Sequence, residues 1–86
     1  MEVIILSYNT WGKPWEFEAF VMQALENTSE RELFETIWSK AMEIENWNHA
    51  DLAAGSRNTI ILLQAQFQLS GEVAKNIARA CAYQWK

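Results

Sequence analysis

The sequence predicts a mainly α domain, a compact bundle of about four helices with an N-terminal extended strand. Two observations carry this prediction. Residues 29–46 place Leu33, Phe34, Ile37, Trp38, Ala41 and Met42 at the i, i+1, i+4, i+5, i+8, i+9 spacing of one broad helical face. Two further stretches, 14–27 and 72–84, carry apolar stripes of the same period, with turn residues between the segments. With 86 residues, half of them apolar, the chain makes one domain with one small core.

Residues 3–8 are β-branched and apolar and read as a strand. Such a strand must find a second strand, lie across helices, or pair with another copy of the chain. Residues 9–14 form a loop, with Gly12 and Pro14 as breakers. Pro14 then suits the first turn of a helix whose inner face is Phe17, Phe20, Val21, Ala24 and Leu25, with Glu16, Glu18 and Gln23 outward, ending near Asn27.

The helix over 29–46 is the organising element. Ser29 followed by Glu32 is a capping-box pattern, and Glu30 and Glu32 suit the positive end of the helix dipole. Asn27-Thr28-Ser29 matches a glycosylation acceptor but is read as a helix boundary. Residues 47–55 allow one or two helical turns, closed by Gly55, with Ser56 capping the next segment.

Residues 59–69 are ambiguous. Ile61, Leu63, Ala65, Phe67 and Leu69 alternate with glutamines as a strand would. Leu, Gln and Ala are nonetheless good helix formers, and helix is the preferred reading, with apolar residues nearly all the way round as in a central buried helix. The alternative is a strand paired with 3–8, which makes the class α+β. Ser70 caps the last helix, 72–84, with Val73, Ala74, Ile77, Ala78 and Cys81 inward and Lys75 and Arg79 as a basic edge.

Composition narrows the function classes. No apolar run reaches the length of a signal-peptide core or a membrane span, so an intracellular, cytoplasmic protein without membrane contact is expected. One cysteine cannot form an internal disulfide, and Cys81 among alanines reads as a buried thiol. Residues 15–46 carry a net charge of −6 and residues 52–86 a net +3, within a total of −4. That balance disfavours general nucleic-acid binding; it reads first as two solvated helix faces, and more sharply as a bipolar molecule that meets a partner with a basic surface, or itself head to tail.

No catalytic constellation emerges. His49, the sole histidine, with Glu45 and Asp51 lacks further metal ligands, and a Cys81–His49 pair needs the fold to unite distant segments. Gly12, Gly55 and Gly71 are scattered and form no phosphate loop. No metal, cofactor or enzymatic activity is expected. The segment 59–84 has the outline of a helix-turn-helix, in which Lys75, Asn76 and Arg79 are able to reach bases or phosphates.

Five tryptophans stand out. Trp38 belongs to the core face of the organising helix. Trp11 and Trp15 bracket Gly12-Lys13-Pro14, with Tyr8 just before, and Trp47, Tyr83 and Trp85 lie near helix ends. Each can lid the core or anchor a partner, since Trp and Tyr dominate interface hot spots. The resulting expectation is a small acidic protein-binding module with the general profile of inhibitor, immunity or adaptor proteins, phage-type inhibitors of host defence among them. Glu32, Glu35 and Glu43, with Glu16 and Glu18, steer it onto a basic site, and Trp11 and Trp15 anchor it. A helix-turn-helix DNA-binding regulator and a homodimer paired through residues 3–8 are the alternatives.

Overall fold

A computed structural model describes residues 1–47 and 51–85, and the expectation is met in class and corrected in detail. The chain is mainly α, with six helices and no strand among the described residues. They are α1 (Glu2–Ser7), α2 (Phe17–Ala24), α3 (Thr28–Ala41), α4 (Ile44–Trp47), α5 (Leu52–Phe67) and α6 (Gly71–Gln84), with a 3₁₀ turn at Pro14–Glu16 leading into α2. No helix among the described residues is long and apolar enough to cross a membrane.

The N-terminal strand does not form; residues 2–7 are helical. With 59–67 inside a helix, no strand partner exists for them among the described residues, and an unpaired strand leaves its amides unsatisfied. Helix α1 closes its bonds internally, buries Ile5 completely and rests on α6, where the Asn76 side-chain amide donates to the Ile5 carbonyl at 3.3 Å. The strand preference of these β-branched residues goes unused, although within α1 only Ile5 is fully buried and Val3 stays 80% exposed.

The organising helix is shorter than its periodicity implies. Asn27, not Ser29, is its N-cap, its side chain accepting from the Glu30 amide at 3.1 Å. The helix ends at Ala41, and residues 44–47 form the separate α4. Side chains that fold back end it: Asn46 Nδ2 donates to the Lys40 carbonyl at 2.8 Å, and Trp47 Nε1 to the Ala41 carbonyl at 2.7 Å. Phe34, Ile37, Trp38 and Ala41 are buried as the pattern requires, whereas Leu33 is exposed and Met42 half-buried.

Gly55 is not a stop and Ser56 is not a cap. Helix α5 is capped by Asp51, whose carboxylate accepts from the Ala54 amide at 2.6 Å, and it runs through both residues. Gly55 is needed where α5 crosses Trp47, because a Cβ there would lie 2.5 Å from the indole Cε3. Residues 59–67 are helical, but this helix is not the central one: Ile61 is 65% exposed. Helix α6 takes that place. It touches α1, α3, α5 and the 3₁₀ turn, and buries Val73, Ala74, Ile77, Ala78, Ala80 and Cys81. Its alanines let several neighbours approach at once. Ser70 caps it by accepting from the Val73 amide at 3.2 Å, as expected.

A chain of rings joins the first loop to the core. Phe17, fully buried, is the hub, with centroids 5.4 Å from Tyr8, 5.7 Å from Trp11 and 5.9 Å from Trp38. The buried Tyr8 hydroxyl donates to the Lys13 carbonyl and so closes the loop that presents Trp11 and Trp15.

Candidate functional site

The residues marked in the sequence as partner-binding fall onto two surfaces. The first is the outer face of α3 and the turn after it. Glu32, Glu35, Thr36, Ser39, Lys40 and Glu43 line an open depression of about 480 Å³. The i, i+3, i+4 spacing of Glu32, Glu35 and Thr36 places them on one side, opposite the buried Phe34, Ile37, Trp38 and Ala41. Glu43 pairs with Lys40 at 3.4 Å, both side chains partly exposed, a contact that salt readily weakens. Among the described residues no cation pairs with Glu32 or Glu35. The depression therefore keeps a net negative charge on a helix whose other face is locked in the core.

Glu16 and Glu18 do not belong to this depression. Glu18 is half-buried near Cys81 and, after burial itself, helps push that thiol above its usual range. Glu16 is exposed beside Tyr8, whose phenol is raised first by burial and then by this carboxylate. These two acids contribute to the distant field and not to the same concave surface.

The second surface is an open groove of about 430 Å³ between the first loop, the start of α5 and the end of α6. Trp11 and Trp15 line it together with Pro14, Leu52, Arg79 and Tyr83. Trp11 is both a core lid and a wall, since it stacks on Phe17 while facing the groove. Trp15 is 49% exposed and meets Tyr83 with a centroid distance of 5.6 Å. Trp47 is core, not contact surface. The Arg79 guanidinium lies over the Trp11 ring, 4.3 Å from its centroid. Sequence reasoning placed Arg79 in a recognition helix and missed the groove. The spacing of Arg79, Ala82 and Tyr83 on one helical side was a usable signal; the approach of the loop to that side was not readable.

Two of the three residues a helix-turn-helix would need make contacts within the fold, while Lys75 is exposed. Asn76 is bonded to α1, Arg79 covers Trp11, and α1 itself rests on α6. The homodimer drawn from residues 3–8 has lost its strand, because residues 3–7 lie in α1. The grouping of Glu45, His49 and Asp51 falls partly on residues 48–50, outside the described residues, and no cluster of metal-ligating side chains occurs among the described ones. No known family model, curated protein or solved structure matches the chain.

Proposed function

We propose that this chain is a protein-binding module without chemistry of its own, which occludes a basic surface on a partner protein through the outer face of α3. The observation that supports the reading is the pair Glu32 and Glu35, unneutralised beside Glu43 around an open depression on a rigidly held helix. Charges fixed in this way steer association and choose the partner more than they hold it. Inhibition and immunity operate by such occlusion, whereas an adaptor would use the same face to join a partner.

The test is capture from the source lysate, nuclease-treated, by the tagged chain and by its Glu32→Lys, Glu35→Lys, Glu43→Lys variant, read by mass spectrometry. The expected outcome is a stoichiometric protein retained by the parent chain, released by salt, and reduced about tenfold or more by the variant, the span that steering of this kind covers. Equal capture by both chains, or retention of nucleic acid alone, rejects the reading.

A further inference from the structure

The groove that houses Trp11 and Trp15 takes no part in the acidic face, and its chemistry selects a different ligand. It is an open groove of about 430 Å³ whose lining is largely aromatic and aliphatic, room for a single ring system to lie against its wall. Among the described residues Arg79 is the sole charged one that lines it. Among the described residues no carbonyl or carboxylate accepts from the Arg79 guanidinium; its one contact of this kind is the Trp11 ring. A guanidinium lying over a ring keeps its in-plane N–H fork available for a planar acceptor.

The geometry points to a binding site for a small aromatic carboxylate. The ligand's ring packs against Trp11 and the Trp15–Tyr83 pair, and its carboxylate meets Arg79 in a bidentate hydrogen-bonded pair. Charge complementarity sets the class. A single cation matches a monoanion, while the net charge of −4 on the chain opposes a polyanion. Arg79 repels a cationic ring compound, and a neutral one leaves the fork unused. Because Arg79 is solvent-exposed, the ion pair selects more than it holds, and ring burial supplies most of the affinity. The site uses none of the α3 carboxylates, so it stands or falls independently of the protein-binding role.

The experiment is an NMR titration of the whole ¹⁵N-labelled chain with indole-3-acetate, indole-3-acetamide and tryptamine, following the indole N–H resonances of Trp11 and Trp15. The expected result is a saturable shift of both with indole-3-acetate at a Kd of about 1 mM or below, with the amide and the amine at least about tenfold weaker. Arg79→Gln brings the acid down to the level of the amide, and Arg79→Lys, which keeps the charge but loses the fork, falls between. The Glu32→Lys, Glu35→Lys, Glu43→Lys variant titrates as the parent does.

Absence of a saturable shift, equal binding of the three compounds, or undiminished acid binding by a folded Arg79→Gln chain overturns the proposal. A peptide with a C-terminal tryptophan carboxylate that binds about tenfold more tightly than indole-3-acetate also overturns it, by assigning the groove to a peptide terminus. Should Arg79→Gln not fold, the ranking of the three compounds on the parent chain decides alone.

Discussion

Cys81 is fully buried on α6, and its thiol is held above its usual range by burial first and by the Glu18 carboxylate second. In the unfolded chain the same thiol titrates near about 8.5. A group whose folded pKa is raised contributes stability that is complete below the unfolded value and is lost as pH climbs above it, because only the unfolded chain then releases the proton. Urea midpoints measured from neutral to alkaline pH should therefore fall above about pH 8.5, with this group contributing up to about 1.4 kcal/mol per pH unit. Cys81→Ala should be less stable at neutral pH, through a small cavity, yet show a shallower alkaline decline. An identical decline in both chains would remove the thiol as its cause.

At the scale of elements, two pairs of residues separate what the pattern implies from what the fold uses. Asn27→Ala removes the side chain that accepts from the Glu30 amide and should cost about 1 kcal/mol in urea unfolding. Ser29→Ala, at an exposed position one residue into α3, should change stability by less than about 0.5 kcal/mol. The reverse order would restore the capping box. In the second pair, Gly55→Ala gains helix propensity but drives a Cβ to 2.5 Å from Trp47 Cε3 and 3.0 Å from the Asn46 carbonyl. The clash should win by about 1–3 kcal/mol, since backbone and a buried indole have little room to give. A stabilised Gly55→Ala chain would mean that α4 and α5 pack less tightly than described. Both cases explain why the boundaries of α3 and α5 were misread: capping letters occur at several neighbouring positions, and only the contact chooses among them.

For the molecule as a whole, the net charge of −4 and the engagement of Asn76 and Arg79 argue against duplex binding. In a gel-shift assay at about 0.1 M salt the chain should leave duplex DNA unretarded up to tens of micromolar, roughly where non-specific binding by basic proteins already appears. Salt-sensitive retardation that disappears on Lys75→Ala with Arg79→Ala would reinstate the recognition-helix reading. Of the charge asymmetry, −6 over 15–46 against +3 over 52–86, the fold gathers Glu32, Glu35 and Glu43 on the α3 face and sets Arg79 apart in the groove. Only the three acids at 32, 35 and 43 were kept together; Glu16 and Glu18 went elsewhere.

By itself the sequence determined the helical class, the inner face of α6, most of that of α3, the Ser70 cap and the place of Trp38 in the core; on α2 it placed Phe17 and Val21 inward correctly, but Phe20 and Ala24 are exposed. These are properties of period and propensity, which act between residues three or four apart. Tertiary structure alone decided that residues 2–7 are helical, that α3 ends at Ala41, that α5 passes through Gly55, and that α6 rather than α5 is central. Each of these turns on a contact between segments distant along the chain or on a side chain closing a helix end: Asn76 with Ile5, Trp47 with Gly55 and with the Ala41 carbonyl. The groove has the same origin. Trp11 and Arg79 are neighbours because a loop folds onto a helix, and local spacing along the chain does not encode that approach.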